Sequence, residues 1–450
     1  MADELLTGIP LSLQQQFFCA LDRGDVRGAF GSRHVASSAW RLRGRLDVRA
    51  LREALDDVVE RHEILRTSIA RDAPVPYQTV HPSGPVRLTV RDLPRGPADD
   101  LGLRAERWFN GIEVLDHPVA ELPHLRAALG RFGADDAVLV LTVHHVAADG
   151  WSMRLIMRDL LNRYAHRCGH AVPALPEARQ YREYAALPPE EAAGGRLAAA
   201  RAHWRSRLRG AEMTTVGTDR PPAGQAPVYG NHRFLLDETV TGRALAVARS
   251  SRCTPFMIFM AAYALLLREL TGRDDVVAGT FSSGRSLECF RDTVGPFLNL
   301  LPLRIDLSGC ASFRDVAART RAACLDAYTH DIPFELIEEE APGLMDAVQA
   351  PGRELIAFEV LQFPPAPAAG GLAVEEIRRR VLSQEVSCDI PDGGLWALDV
   401  LPSGETACSL KLDANAFDAA TGEAMARAFE RILRSAVTAP EDPLPARSHR

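Results

Sequence analysis

The feature that most constrains this chain is an apolar run that ends in two adjacent histidines and leads into a helical pattern. The run covers residues 137–143 and lacks the alternation of a half-exposed strand, which predicts a buried strand. His144 and His145 follow it, and Asp149 and Gly150 precede the helical pattern. Successive side chains of a strand point to opposite faces. One histidine is therefore expected to face a cavity and the other to face packing.

A histidine held at the end of a buried strand suits proton transfer, because its pKa lies near neutrality. Asp149 and Gly150 predict a turn, since glycine tolerates positive φ and aspartate bonds to nearby backbone. The pattern favours a general base fixed beside a substrate channel. The alternative is a structural histidine whose nitrogens are satisfied within the core.

The string from His144 to Gly150 resembles the HHxxxDG signature of the condensation domains of nonribosomal peptide synthetases. Other segments resemble that family's motifs in the family's order, some of them loosely. They are residues 11–17 (SxAQxR), 61–67 (RHExLRT), 181–185 (YxDYA), 294–299 (VGxFxN), 330–335 ((H/N)QDxPFE) and, barely visible, 353–363 (RDxSRNPL). In the first motif Ser12 and Gln15 are in place, but Phe17 stands where the family usually has arginine.

Strands mixed with helices in both parts of the chain indicate an α/β fold. The resemblance implies more: two chloramphenicol-acetyltransferase-like halves arranged as a pseudo-dimer, with the active site between them. The predicted halves are residues 1–175, which carry the signature, and residues 176–450. Residues 170–195, rich in Pro, Ala and Glu, are predicted to link them.

The resemblance also implies roles for the signature residues. His145 is expected to face the channel, where an amine attacks a thioester, and to accept or organise the amine's proton. His144 is expected to face away and pack. Asp149 is expected to be buried and paired with an arginine of the second half, for which Arg285 is the candidate; an exposed Arg285 is the alternative. The N–H of Gly150 is expected to serve the developing oxyanion.

Further side chains near the motifs are expected to line the substrate channel or to support it. Trp151 and Ser152 directly follow the signature. Asn299 could line the channel, although a turn or a backbone cap is an equal alternative. His330 and Asp331 have the residue types of a catalytic dyad, but the proline after them favours a fixed turn and a structural role. Arg61 and His62, at the end of a predicted helix, are also expected to be structural.

Several elements follow from local patterns alone. The predictions are a helix over 47–66 with Asp47 as N-cap, a helix over about 196–208, a buried helix starting at Thr254-Pro255 and running to 270, and a strand over 275–280. Proline-rich stretches at 219–227 and 364–371, and a tail from residue 439, predict loops.

Composition excludes other classes of function. The net charge of −7 offers no broad basic face for nucleic acid or an anionic membrane. Eight scattered cysteines without a CxxC pair, and the lack of about 18 consecutive apolar residues, favour a cytoplasmic protein with no membrane span. His166, Cys168 and His170 fit no standard zinc spacing, and Gly169 instead predicts a helix end. No GxSxG, GxGxxG or P-loop is present, so neither a metal nor a nucleotide is predicted.

The predicted function, which rests on the resemblance, is acyl transfer in the biosynthesis of an antibiotic or other natural product. A donor thioester on the phosphopantetheine of a peptidyl or acyl carrier protein is joined to an acceptor amine or hydroxyl, which is a small molecule or carrier-bound. No intrinsic cofactor is expected. The chain shows no adenylation or carrier motif and begins with its own Met1, so a free-standing enzyme is expected rather than an excised domain.

Two alternatives stay open. An acyl-CoA-dependent acyltransferase of the same superfamily would share the histidine chemistry. An inactive condensation-like module that recruits a partner enzyme is of another class, and the intact signature counts against it. An epimerisation domain is less favoured, because no EGHGRE-like motif is found.

Overall fold

The computed structural model describes residues 5–26, 28–93, 100–221, 228–362, 370–387 and 393–444. The strands of the first half are β1 (Leu6–Pro10), β2 (Val35–Arg43), β3 (Thr67–Ala70), β4 (Tyr77–Val80), β5 (Arg87–Asp92), β6 (Leu125–Arg131) and β7 (Asp136–His144). Its helices are α1 (Leu13–Ala20), α2 (Val48–Arg61), α3 (Leu101–Glu113) and α4 (Gly150–Arg167). Of the stretches predicted to be loops, residues 222–227, 364–369 and 445–450 lie outside the described residues, as does Phe363 of the faint last motif.

The second half has a similar mixture. Its helices are α5 (Tyr181–Ala185), α6 (Pro189–Ala192), α7 (Leu197–Arg207), α8 (Glu238–Ser250), α9 (Pro255–Thr271), α10 (Phe313–Thr329), α11 (Phe334–Glu340), α12 (Asp346–Gln349) and α13 (Ala419–Thr438). Its strands are β8 (Val216–Gly217), β9 (Tyr229–Leu236), β10 (Asp275–Ser282), β11 (Asn299–Asp306), β12 (Arg353–Glu354), β13 (Ile356–Leu361), β14 (Ala373–Glu376), β15 (Gln384–Val386), β16 (Gly394–Val400) and β17 (Thr406–Asp413).

The main sheet of the first half has the strand order β14–β2–β7–β6–β5 and places β7 at its centre. Every residue of β7 is buried. Leu139 and Leu141 pack among the residues of α2 and α4, while Val138 and Val140 pack with Phe109 of α3 on the other face. A strand covered on both faces needs no polar alternation. The prediction of a buried strand before the signature is confirmed.

The main sheet of the second half has the order β13–β16–β17–β9–β15 and repeats the layout of the first. Each sheet has a parallel pair at one edge, β5–β6 or β13–β16, and antiparallel pairs from there on. The central strand of each is followed by a long helix, α4 or α13. The same position that carries His144 at the end of β7 carries Asp413 at the end of β17. The two halves are therefore alike in layout but not in chemistry.

A segment over residues 373–386, here called the bridge, joins the two sheets. Its β14 pairs with β2 of the first half and its β15 pairs with β9 of the second. Between these strands, the backbone N–H groups of Val381 and Leu382 each donate to Oε1 of Glu106 on α3 at 2.7 Å. The second half thus supplies an edge strand to the sheet of the first, while the division at residue 175 stays a prediction.

Two predicted helices show how local and tertiary forces differ. For α9, Thr254 Oγ1 accepts from the N–H of Met257 at 3.3 Å, Pro255 is the first helical residue, and the helix is buried on nearly all sides, so that prediction is confirmed. Helix α2 starts after the Asp47 cap as predicted but ends at Arg61, not at residue 66. His62 leaves the helix because its ring bonds to Asp159 of α4 at 2.9 Å, and a 3-10 turn follows.

The predicted linker over 170–195 is packed against both halves. Tyr181 and Tyr184 of α5 are buried. Tyr181 Oη shares a hydrogen bond of 2.7 Å with Ser12 Oγ and donates to the carbonyl of Pro296 at 3.1 Å. Gln14 Nε2 donates to Tyr184 Oη at 3.0 Å. The motifs at residues 11–17, 181–185 and 294–299 therefore meet at this join.

Among the described residues, no single helix combines the length and the apolar character needed to cross a bilayer. Helices α8 and α9 reach that threshold only when taken together, and they meet at an angle of 107°. Helix α9 forms the centre of the second half's hydrophobic core.

Candidate active site

The signature begins where β7 ends. His144 is the last strand residue, and His145 opens a turn over residues 145–147. The ring of His144 is fully buried: its Nδ1 accepts from the N–H of Val146 at 3.3 Å, and its Nε2 lies 3.2 Å from the carbonyl of Gly31, to which it donates. His144 is therefore buried in the core and does not line the cavity that contains His145.

His145 lines a cavity that both halves enclose, with room of about 50 Å3 for water-sized groups. The first half contributes Phe17 and Phe18 of α1, and the second contributes Phe281 and Phe334. The residue is only 5% exposed. A small space with aromatic walls strengthens any hydrogen bond formed inside it, because little water competes.

His34 also lines this cavity. No sequence motif indicates this residue. Its ring stacks on that of His145 with centroids 4.8 Å apart and planes 13° apart. The N–H of His145 donates to the carbonyl of His34 at 2.9 Å, and His34 Nδ1 donates to the carbonyl of Ala29 at 2.8 Å. Burial, with a smaller effect of His145, holds the pKa of His34 well below its usual range. The ring of His34 is therefore neutral, and its stacking orients the ring of His145.

Three further histidines pack behind His34 and His145. The ring of His144 lies 6.1 Å from those of His34 and His117 and 6.0 Å from that of His124. Burial lowers the pKa of His117 to about 2 and that of His124 to about 4. The rings behind His145 are therefore neutral at physiological pH, and none of them brings a positive charge to the cavity.

Asp149 and Arg285 form a buried pair across the two halves. Arg285 Nη1 donates to Asp149 Oδ2 at 2.7 Å and Nη2 donates to Oδ1 at 3.2 Å, with the arginine and aspartate side chains 3% and 1% exposed, respectively. Asp149 also accepts from the N–H groups of Ser152 at 2.7 Å and Phe297 at 3.1 Å. Burial raises the pKa of Asp149, but the charge and hydrogen bonds of Arg285 outweigh it and leave that pKa below its usual value.

The turn predicted at Asp149 and Gly150 was wrong. Asp149 is the N-cap of α4 and Gly150 is the first residue of that helix, because the Asp149 carboxylate accepts from the N–H of Ser152. A Cβ at Gly150 would meet no atom within 4 Å. The N–H groups of a first helical turn have no partner within the helix, so the oxyanion role of Gly150 keeps a physical basis and stays a prediction.

Trp151 and Ser152 hold the halves together rather than face the cavity. Ser152 Oγ donates to the carbonyl of Gly295 at 2.8 Å and accepts from the N–H of Gly295 at 3.0 Å. Trp151 Nε1 donates to the carbonyl of Arg291 at 3.1 Å. Of their two predicted roles, these contacts favour structural support.

Asn299 lines the cavity and also positions the segment that follows α10. Its Nδ2 donates to Asp331 Oδ1 and to the carbonyl of Ile332, both at 2.8 Å, and its Oδ1 accepts from the N–H of Phe334 at 2.8 Å. Both alternatives weighed for Asn299 therefore hold at once. His330 bonds to the carbonyl of Asp326 at the end of α10, which agrees with the structural role expected for it.

Glu335 is a second cavity residue, after His34, that the sequence did not indicate, since its motif predicts only a fixed turn. It lines the cavity with His145, and its Oε1 is buried with no hydrogen-bond partner among the described residues. Burial raises the pKa of its carboxyl to about 8. An acid that is neutral at pH 7 can both donate and accept a hydrogen bond.

The RHExLRT segment lies elsewhere and is structural. Arg61 Nε and His62 Nε2 each lie 2.9 Å from Asp159 Oδ2, and Glu63 pairs with Arg182 at 2.7 Å. Although burial opposes it, hydrogen bonds from His62 and Arg158 hold the pKa of Asp159 at about 2. Asp159 was also missed, because one acid within a helix carries no signal of its own.

One group in the described part of the chain has the residue types of a metal site: His203, Asp326 and His330. The rings of His203 and His330 stack at 3.8 Å with planes 3° apart. In-plane lone pairs of stacked rings run parallel and do not converge on one ion.

As predicted from the sequence around His166, Cys168 and His170, Gly169, with φ of 81°, lies just beyond the end of α4.

Comparison with known proteins places this geometry in a family. The Condensation domain model matches residues 29–446. CymA, a probable nonribosomal peptide synthetase of Salinispora arenicola, is 35% identical over 96% of this chain, and a linear gramicidin synthase of Brevibacillus parabrevis is 34% identical over 74%. The chain spans only 6% and 4% of the lengths of these two proteins.

Solved structures show the same fold. SgcC5 from Streptomyces globisporus, in a complex with (R)-(-)-1-(2-naphthyl)-1,2-ethanediol and sucrose, is 42% identical with a TM-score of 0.92, covering 97% of this chain and 100% of that one. The X-domain from teicoplanin biosynthesis is 29% identical with a TM-score of 0.76, covering 97% and 96%. The predicted fold, two chloramphenicol-acetyltransferase-like halves around a shared site, is confirmed.

Proposed function

Because this chain belongs to the condensation-domain family of nonribosomal peptide synthetases, we propose that it is an acyltransferase that joins a thioester-bound acyl group to an acceptor nucleophile. One observation carries the proposal: His145 of the intact signature lines a small, largely apolar cavity between the halves. Nucleophile, imidazole and thioester would meet there with little water to hydrolyse the donor.

The reaction needs one proton to move and one bond to be exchanged. The acceptor N–H or O–H gives its proton to the imidazole of His145 as the new C–N or C–O bond forms. The thioester C–S bond then breaks, and the leaving thiolate takes that proton. The carbonyl oxygen gains charge in the transition state, and the N–H of Gly150 at the positive end of α4 would stabilise it.

We favour a hydroxyl acceptor over an amine. SgcC5, at 42% identity, was solved with a vicinal diol that carries an aromatic group. With room of about 50 Å3 the cavity holds only the reacting hydroxyl groups, and the phenyl rings of Phe17, Phe18, Phe281 and Phe334 would pack against the attached aromatic group. The product would then be an ester of a diol.

The donor is proposed to arrive on the phosphopantetheine of a carrier protein, in natural-product biosynthesis. The relatives include synthetase modules that work with carrier domains. Tethering raises the local donor concentration, so that intrinsic affinity for the acyl group can be weak. With a net charge of −7 and no broad basic face, docking would use a small local patch.

The test offers one aromatic acyl group to the purified chain in two forms, on a carrier protein and on coenzyme A, with the naphthyl diol or its amino-alcohol analogue as acceptor. We expect ester from the carrier-bound donor, detected by mass spectrometry. Equal or better kcat/KM with coenzyme A favours the acyl-CoA-dependent alternative. No product with either acceptor or donor contradicts the proposal and favours a partner-recruiting module, the second alternative.

A further inference from the structure

Glu335 places a carboxyl group in a small cavity whose walls are largely aromatic. It shares the small cavity with His145, His34 and Phe17, and the ring of Phe17 packs on that of Phe334 with centroids 5.4 Å apart. Its Oε1 has no hydrogen-bond partner in the ranges that the structure describes. A buried polar atom without a partner costs folding free energy. A ligand atom that satisfies Oε1 would recover that cost.

Among the described residues that line this cavity, none is an arginine or a lysine. The titratable groups that face it are His34 and His145 of the first half, Asp331 before α11, Tyr184 of α5, and Glu338 and Glu339 of its own helix. The arginines on the neighbouring α7 are engaged elsewhere: Arg201 and Arg205 bind Glu339 and Glu340. The local charge around Glu335 is therefore acidic or neutral, which favours its protonated form.

We propose that Glu335 positions the acceptor: its carboxyl group makes a two-way hydrogen bond with the second hydroxyl of a vicinal diol, while the first hydroxyl faces His145. This inference rests on the proposed hydroxyl acceptor. The neutral carboxyl donates its O–H to that hydroxyl's oxygen and accepts the hydroxyl proton at Oε1. Glu335 takes no proton from the reaction, and His145 alone receives the proton of the attacking oxygen.

The pH dependence follows from burial of this carboxyl. Burial raises its pKa from 4.5 to about 8, with Glu338 adding to the rise, while backbone hydrogen bonds of Glu335 and Phe17 oppose it. Below pH 8 the group is neutral and can donate; above pH 8 it is charged and cannot. Affinity for the diol should therefore be lost as the pH rises through about 8.

The test measures binding of (R)-1-(2-naphthyl)-1,2-ethanediol by calorimetry at pH 6.5 and pH 9.5. Wild-type affinity should fall about 5- to 20-fold between them, the loss of one or two hydrogen bonds. Glu335→Gln, which keeps a donor and an acceptor, should bind with nearly equal affinity at both pH values. Glu335→Leu should bind 5- to 20-fold more weakly than wild type at pH 6.5. Glu338→Gln, on the same helix but outside the cavity lining, should keep the fall in affinity but shift it to lower pH, because Glu338 adds to the raised pKa of Glu335.

A second variant changes Phe17, which lines the same cavity, and leaves Glu335 itself intact. Phe17→Arg would place a cation beside Glu335, keep the carboxyl charged, and weaken diol binding at pH 6.5 to the level of wild type at pH 9.5. Phe17→Leu is its matched control and should keep the pH dependence. Melting temperatures establish that each variant is folded before binding is compared.

The pH dependence of stability, measured without ligand, tests whether the Glu335 carboxyl is buried in its neutral form. A raised carboxyl pKa means that wild-type stability is lost, relative to Glu335→Gln, as the pH rises from about 4.5 to about 8. Identical stability curves would show that the carboxyl is not buried as neutral acid and would overturn the proposal. So would wild-type diol binding that is absent or independent of pH, or Glu335→Leu binding like wild type.

The outcomes separate this inference from the proposed function. Diol binding that depends on Glu335, without ester formation from any donor, would keep the acceptor site and reject the acyl transfer. Ester formation with an unchanged diol KM in Glu335→Leu would keep the transfer and reject the role of Glu335. A positioning residue should raise the diol KM more than it lowers kcat.

Discussion

At the scale of single residues, the chemistry depends on how tertiary contacts orient two rings. His145 lies on the neutral ring of His34 and faces an apolar cavity, whereas His144 has both ring nitrogens engaged with backbone. One of the adjacent histidines thus faces the space for substrate and the other does not. The two substitutions to alanine should therefore fail in different ways.

His145→Ala should lower turnover by ~10²–10⁴, because no imidazole is then in place to accept the proton of the acceptor. His144→Ala should mainly lower the melting temperature, since it opens a buried cavity next to three other rings. Turnover is measured with the carrier-bound donor and stability by thermal unfolding. Wild-type turnover in His145→Ala would contradict the assignment of the general base.

Asp149 and Arg285 should act through stability. Removing either partner leaves a buried charge unpaired, which costs about 3–5 kcal/mol in free energy of unfolding. The loss in the double variant should be smaller than the sum of the two single losses, because the second change removes the stranded charge. Chemical denaturation of the three variants checks this. Asp149→Ala that unfolds like wild type but is inactive would instead assign the carboxylate a direct role in the reaction.

At the scale of elements, the bridge is the connection that sequence patterns did not indicate. It adds β14 to one sheet and β15 to the other, and Glu106 of α3 accepts two of its backbone N–H groups. Its attachment thus depends on two buried carboxylates of α3, Glu106 and Glu113, as well as on two short strand pairings.

Glu106→Leu should loosen the bridge. Each backbone N–H left without a partner costs about 1–3 kcal/mol, so the segment should open more often. Trypsin is then expected to cut after Arg378, Arg379 or Arg380 sooner than in wild type. Glu375→Ala is the matched control, since Glu375 on β14 forms an exposed pair with Arg43. Equal cleavage rates in Glu106→Leu and wild type would show that the strand pairings suffice.

At the scale of the whole molecule, two carboxylates with lowered pKa values join the halves. Asp149 pairs with Arg285, and Glu113 of α3 binds Arg380 of the bridge. Burial opposes it, but the charge of Arg380 and its neighbours holds the pKa of Glu113 at about 2. A lowered carboxyl pKa contributes stability that is present above the unfolded value and is lost as the pH falls through the folded value.

The protein should therefore lose stability as the pH drops from about 4.5 towards 2. Thermal unfolding followed across this range checks the expectation. Glu113→Gln should be less stable at neutral pH and should show a flatter decline in acid, because one of the linked protons is gone. A wild-type melting temperature that is constant from pH 4.5 to pH 2 would contradict this account of the interface.

Much of the site could be predicted because it is local. His144, His145 and Asp149 stand in one short string between a strand and a helix, and Arg285 was a candidate because the resemblance implies an arginine of the second half as the partner of that acid. His34, Asp159 and Glu335 could not be predicted, since a lone histidine or acid has no spacing to mark it. The turn at Gly150 was predicted wrongly because the side chain of Asp149 caps the helix instead of closing a loop.

The sequence by itself determined the elements whose signals lie close together in the chain: the buried strand β7, the capped start of α9 and the order of the motifs. Short-range patterns suffice there, because strand alternation and helix caps depend on residues a few positions apart. Only the tertiary structure decided that the halves repeat one layout, that the bridge crosses between their sheets, and that Glu335 and Phe17 share a cavity whose described lining has no arginine or lysine. Burial and charge depend on neighbours distant in the chain, and those neighbours are defined by the packing of the two halves.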